Sequence, residues 1–245
     1  MDHASLDSLV RPNAKILQTF EMKDMNEKIQ DIINSRNCCT GASVKVNDLG
    51  NREKLFFKKF MPKSVTAIAL LHHITTEYEW TWYATADGGE RCDADDHLKD
   101  LAHEIKDQIG KERHDAALVK YPGISGLQFR FIAEAAGLGS IGNNAFLFHP
   151  VWGPWVHLRV MGTSSEVDLN PKLSGDQVCD ECGLCISECP AQAISEGSFH
   201  GLQCRSYRKA RGEYNPRYPD GLLPYCKRCI LICPKGDLPV PLKDK

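Results

Sequence analysis

Apolar residues between Asp96 and Ile109 recur at helical spacing. Leu98, Leu101, Ile105 and Ile109 share one face, Asp95 or Asp96 stands at the capping position, and Gly110 stands where the helix should stop. A second amphipathic helix follows Asp24 and buries Met25, Ile29, Ile32 and Ile33. A third runs from Leu127 to Ala136 and is stopped by Gly137. Ser64–Ile74 is β-branched and apolar, as a buried strand requires, and Asp115–Tyr121 reads as another strand. From Trp155 to Val160 the pattern alternates: Val156, Leu158 and Val160 on one side, Trp155, His157 and Arg159 on the other. Strands alternating with helices predict an α/β sheet over residues 1–165.

Beyond about residue 166 the periodicity fades and Cys, Pro and Gly take over. The polar stretch Thr163–Gly175 is the expected boundary, so the chain divides into a core at 1–165 and a second domain at 166–245. Composition adds little: 245 residues, 42% hydrophobic, 25% charged and a net charge of -2, ordinary for a globular protein without a nucleic-acid or membrane bias. The longest apolar stretch is too short to span a bilayer, and the N-terminus lacks the pattern of an export signal, so a cytoplasmic location is expected.

The eleven cysteines change the picture, because eight of them fall within residues 179–233. Cys179-x2-Cys182-x2-Cys185-x3-Cys189-Pro190 has the spacing of the bacterial ferredoxin run. Closely spaced thiolates let a tight loop wrap one iron–sulfur cubane, while the fourth cysteine leads away to a second. Cys226-x2-Cys229-x3-Cys233-Pro234 is one thiolate short, and Cys204 can supply it. The crossed arrangement puts Cys179, Cys182, Cys185 and Cys233 on one [4Fe–4S] cluster and Cys189, Cys204, Cys226 and Cys229 on the other. Structural zinc is the alternative for paired CxxC motifs; the third cysteine at the same spacing and the two Cys-Pro endings argue against it. Cys38, Cys39 and Cys92 lie outside the pattern and read as small buried hydrophobes.

The segment Arg130-x-Ile-Ala-Glu-x-Ala-Gly-Leu-Gly-Ser-Ile-Gly-Asn-Asn144 resembles a stretch of the epoxyqueuosine reductases, which stand with the reductive dehalogenases in a cobalamin-dependent iron–sulfur superfamily. Gly153-Pro154-Trp155 and Cys204-Arg205-Ser206-Tyr207 resemble further pieces of the same family, and the likeness covers roughly residues 30–235. It implies an α/β (α+β) corrinoid-binding core with a ferredoxin-like two-cluster segment, and a base-off cobalamin between them. On that reading Gly137, Leu138, Gly139, Ser140, Ile141, Gly142, Asn143 and Asn144 bind the corrinoid, the glycines allowing close backbone approach. The sequence departs from the family in two respects. The acidic proton donor is replaced by Gly123, and the helical-repeat region that helps hold tRNA does not follow Cys233. Tyr121, beside Pro122 and Gly123, is the substitute proton donor.

Tyr78, Trp80, Trp82 and Tyr83 form an aromatic group that fits either a pocket wall or a half-buried strand. His72 and His73 are adjacent on a strand, so at most one of them faces a given site. Arg205, Arg208, Lys209, Arg211 and Arg217 make a basic stretch. Three functions remain open. The first is a corrinoid-dependent reductase of a small-molecule substrate, fed by a low-potential ferredoxin or flavodoxin type donor. The second is a reductive activator of another corrinoid protein, and the third a plain two-cluster ferredoxin. No nucleic-acid partner and no membrane span are expected.

Overall fold

The computed structural model describes residues 14–86, 89–121, 125–171, 173–211, 222–223 and 226–241. Its centre is a four-stranded sheet of β1 (Cys39–Lys45), β2 (Thr66–His73), β5 (Ala116–Leu118) and β8 (Val156–Thr163), in the order β1-β2-β8-β5. Every pairing in it is antiparallel, with Leu71 opposite Leu158 and His72 opposite His157. The α/β expectation is thereby refined: strands and helices alternate along the chain, yet the sheet is antiparallel and the fold is α+β.

Helices cover both faces of this sheet, which is why β2 is apolar without alternation from Ala67 to Leu71. On one face α1 (Ala14–Asn34) and α3 (Asp93–Lys111) bury Met25, Ile29, Ile33, Leu98, Leu101 and Ile105 against Ile68, Leu70 and Met161. On the other, α2 (Asn51–Phe60) and α4 (Phe129–Ala135) bring Phe57, Phe129 and Ile132 onto Ala69, Leu71 and Val160. Val167 and Leu169 pack into the first of these cores, so its packing continues past residue 165.

Two expected caps are overturned. Asp24 lies within α1, which begins ten residues earlier, and pairs with Lys28 at 2.6 Å. Asp95 points inward from the first turn of α3, fully buried, because the Arg159 guanidinium and the His157 ring on β8 offer it an ion pair and a hydrogen-bond partner. Gly110 lies inside α3 rather than ending it.

The cysteine-rich part carries short elements: α5 (Leu184–Ser187), the β9–β10 hairpin (Ile194–Ser195, Ser198–Phe199), α6 (Gly201–Ala210) and α7 (Arg228–Leu231). It is tied back to the core. β11 (Leu222–Leu223) pairs with β3 (Trp82–Ala84), which pairs with β4 (Glu90–Arg91), and Val240 bridges Thr76. No helix of the described residues is long and apolar enough to cross a membrane.

Candidate iron–sulfur site and its seam with the core

The seven cysteines of the two motifs, with Cys204, gather into two sets. Burial pushes the Cys185 thiol up, and the thiols of Cys179, Cys182 and Cys233 beside it add to the effect. Cys233 is raised likewise, by burial and then by Cys182 and Cys179. In the other set Cys229 is pushed up to about 12, by burial first and then by Cys226, Cys204 and Cys189. Cys204 is raised by burial, then by Cys189 and Cys226, while Arg208 opposes the shift. The structure therefore brings together Cys179, Cys182, Cys185 and Cys233, and separately Cys189, Cys204, Cys226 and Cys229. Cys185 is the member of the first set whose charge reaches Cys229, so the sets meet there.

Four crowded thiols resist ionising together, because each thiolate repels the next in a half-buried site. A positively charged iron–sulfur core reverses that logic, since it is the largest local charge and holds its thiolate ligands deprotonated. The first set lines a hollow of about 330 Å³, partly open to solvent, with Asn143, Asn144 and Phe148 forming the core side of its wall. Among the described residues no three His, Cys, Asp or Glu side chains are placed to share a single metal ion.

The segment 130–144 has a clear structural role. Gly137 closes α4 in the left-handed conformation, at φ 82°, with Leu138 N donating to Ala133 O at 2.9 Å and Gly137 N to Glu134 O at 2.9 Å. The next turn leads into the β6–β7 hairpin (Ser140–Ile141, Leu147–Phe148), where Ser140 pairs with Phe148 and Ile141 with Leu147. Arg130 and Glu134, one turn apart on α4, clamp this hairpin: Arg130 Nη1 donates to Ala145 O at 3.0 Å, and Glu134 Oε1 accepts from Ile141 N at 2.9 Å. A Cβ at Gly139 would lie 2.1 Å from Phe148 O, and one at Gly142 would lie 2.4 Å from the Phe148 ring and 3.1 Å from Cys179 Cβ. The space beside these two glycines is filled by the protein, so packing within the chain by itself requires glycine at both positions. Of the three glycines in this segment, Gly137 alone would place an added Cβ with no atom within 4 Å.

The two asparagines reach across the seam. Asn144 Nδ2 donates to Cys229 O at 3.2 Å and its Oδ1 accepts from Phe146 N, while Asn143 Oδ1 accepts from Gly197 N at 3.3 Å. Sequence reasoning placed both with the corrinoid; the structure sets them against the cysteine-rich part.

Tyr121 sits in an aromatic and cationic nest. Its ring stacks on His157 at 5.7 Å and 11°, Arg159 lies 5.0 Å over it, and Trp82 meets it edge-on at 5.2 Å. Arg159 makes a two-pronged ion pair with Asp95, both contacts 2.6 Å, so Asp95 fixes the cation beneath Tyr121 and its own carboxyl is held well below the usual range despite burial. Gly123 and Arg217 lie outside the described residues. The aromatic group splits between environments: Trp80 packs on Phe146 and Trp155, Trp82 on Tyr121 and His157, and Tyr78 on Tyr83. His73 stacks on Trp152, which stacks on His149, while His72 turns to Cys39 Sγ at 3.5 Å. Cys92 is fully buried and Cys39 partly so; burial pushes both thiols up to about 11, as expected of hydrophobic packing residues.

No family model matches the chain. An epoxyqueuosine reductase of Staphylococcus aureus is 33% identical over 115 residues, which are 45% of this chain and 30% of that protein. Its counterpart in Bacillus subtilis is 25% identical over 183 residues, 70% of this chain and 47% of that protein. A crystal structure of epoxyqueuosine reductase with an epoxyqueuosine-modified tRNA stem loop shares the fold at a TM-score of 0.61 and 17% identity, covering 89% of this chain and 65% of that one. The aligned region is thus less than half of either curated relative.

Proposed function

From the premise that the chain belongs to the superfamily of epoxyqueuosine reductases, we propose that it is an iron–sulfur reductase carrying two [4Fe–4S] clusters, with a corrinoid as its reactive centre. The observation that carries this reading is the sorting of eight thiols into two sets of four by the crossed ligand pattern. Cys179, Cys182, Cys185 and Cys233 hold one cluster; Cys189, Cys204, Cys226 and Cys229 hold the other. The division into a core at 1–165 and a ferredoxin-like domain at 166–245 belongs to the same proposal, as does a cytoplasmic location.

The corrinoid enters this reading through the superfamily, and it would supply strongly reducing cobalt. At Gly139 and Gly142 the side facing Phe148 is already occupied, so a corrinoid would meet this segment elsewhere. What this chain's own residues supply is the setting. Asp95 orients Arg159 and His157, and these hold the Tyr121 ring, whose phenol is the proton donor of the proposal. The substrate is a small molecule or a modified nucleoside. Because a structural neighbour was crystallised with a tRNA stem loop, epoxyqueuosine-containing tRNA is the first substrate to assay, and the expected absence of a nucleic-acid partner has no support from the comparisons.

Iron and sulfide analysis of anaerobically prepared protein tests the proposal. About eight irons and eight sulfides per chain are expected, with about four of each in Cys182→Ser and in Cys229→Ser. Two zinc ions and no sulfide would overturn it. Cob(II)alamin EPR tests the corrinoid: a bound, base-off spectrum is expected, and no binding would reduce the protein to a two-cluster electron carrier. Tyr121→Phe should lower turnover by about 10²- to 10⁴-fold, the usual effect of losing a general acid.

A further inference from the structure

The two thiol sets stand in opposite electrostatic surroundings. Residues 176–188, around the first set, contain Asp176, Asp180, Glu181 and Glu188 and no Lys or Arg. Residues 201–211, around Cys204 of the second set, contain Arg205, Arg208, Lys209 and Arg211 and no Asp or Glu. The whole chain has a net charge of -2, so this positive patch is a local feature against an acidic background.

Helix α6 orders these residues. Cys204, Tyr207 and Arg208 lie on its partly buried side. Leu202, Arg205 and Lys209, spaced three and four apart, form one exposed stripe on the other. Leu202 is 77% exposed, which is uncommon for a leucine on a helix that also carries a partly buried cysteine. Leu231, 44% exposed, and Ile232, 39% exposed, follow Cys229 of the same set. Arg228, on α7, is also exposed and reaches Glu188 at 3.3 Å. On α6 itself, an exposed leucine beside two cations has the composition of a transient protein interface, in which charge steers the approach and apolar contact holds it.

We propose that the exposed stripe of α6, Leu202, Arg205 and Lys209, is the docking surface for an acidic electron-carrier protein, placing the carrier beside the second thiol set. This rests on the reading of that set as a cluster site. Charge complementarity names the occupant: a carrier with an acidic face is attracted to Arg205 and Lys209, whereas beside the first set the cations Lys235 and Arg228 are already paired with Asp180 and Glu188. A nucleic acid would need the cations but gains nothing from Leu202, Leu231 or Ile232.

The test uses the full chain, prepared anaerobically, and an acidic flavodoxin in its oxidised form as the probe, with binding read from flavin fluorescence anisotropy. Binding to the wild type is expected at low ionic strength and should weaken steeply towards physiological salt. The double substitution Arg205→Glu and Lys209→Glu should weaken it by about tenfold or more, and Leu202→Ser should weaken it at all salt concentrations. Lys106→Glu, a charge reversal on α3, should leave it unchanged. No binding to wild type, equal loss with Lys106→Glu, or no loss with either α6 variant would overturn the proposal. So would loss of tRNA stem-loop binding in the double variant with flavodoxin binding intact. Iron and sulfide counts separate the two ideas: wild-type protein lacking both defeats the cluster reading, whereas a loaded protein indifferent to the α6 substitutions defeats only the docking surface.

Discussion

The side-chain amide of Asn144 donates to the main-chain carbonyl of Cys229 at 3.2 Å, joining residues 85 positions apart across the seam between core and cysteine-rich part. The same side chain accepts from Phe146 N, so one buried asparagine fixes both the β6–β7 turn and the loop carrying the second thiol set. Asn144→Ala should therefore cost about 1–3 kcal/mol, the penalty for unsatisfied buried groups. Under chelator challenge the variant should lose the iron of the second set before that of the first, which EPR of partly stripped protein will follow. Simultaneous loss from both sets would show that Asn144 acts on the fold as a whole.

The glycines of the same segment separate strain from space. Gly137→Ala should cost about 1 kcal/mol, because only the left-handed backbone opposes it. Gly139→Ala must displace the Phe148 carbonyl from 2.1 Å, and should destabilise several-fold more in free energy. Denaturant melts of the two variants check the order. Equal costs would mean that the hairpin yields freely.

Asp95 compensates Arg159, His157 and Lys99 at once. Asp95→Asn leaves buried cations without their counter-charge and should cost about 3–5 kcal/mol. The folded pKa of Asp95 is depressed, so its contribution is fully present above the unfolded carboxylate value of about 3.9 and is lost as pH falls below it. Wild-type stability should therefore drop steeply in that acid range, and the Asn variant should show a shallower drop in pH-dependent melts.

His149 acts in the same direction but at higher pH. Its Nδ1 accepts from Val151 N and Trp152 N, and burial, with His73 nearby, lowers its pKa to about 4. The unfolded state binds the extra proton first, so stability should fall as pH drops from about 6.5 towards 4, by about 3 kcal/mol in total at 1.36 kcal/mol per unit. His149→Phe should start less stable, because two backbone donors lose their acceptor, yet should lack that slope.

These elements differ in how legible they were. α3 and β2 announced themselves, because a helix packed on one side and a strand buried on two leave unmistakable apolar patterns. β1 went unread: its sequence, CTGASVK, is small and polar where Gly41 lets Leu70 approach, and a Cβ there would lie 2.9 Å from the leucine. α2 was missed because three phenylalanines among lysines carry its packing in only ten residues. The cysteine spacing marked this part of the chain at once, since three thiols at a two-residue repeat are legible without knowing the fold. The seam was invisible, because Asn143 and Asn144 meet partners far along the chain and a glycine packed by protein reads the same as one left open for a ligand.

The crossing of the thiol sets also imposes an order in time. Cys179, Cys182 and Cys185 leave the ribosome together, but their fourth partner, Cys233, follows only after 47 further residues, and the second set waits for Cys229. At the usual pace of synthesis, about 5–20 residues per second, three thiols are exposed for some seconds with no closing ligand. A cluster delivered in that interval would have an open iron corner. On the two-cluster proposal, neither set could be closed before the stretch carrying Cys229 and Cys233 has been made.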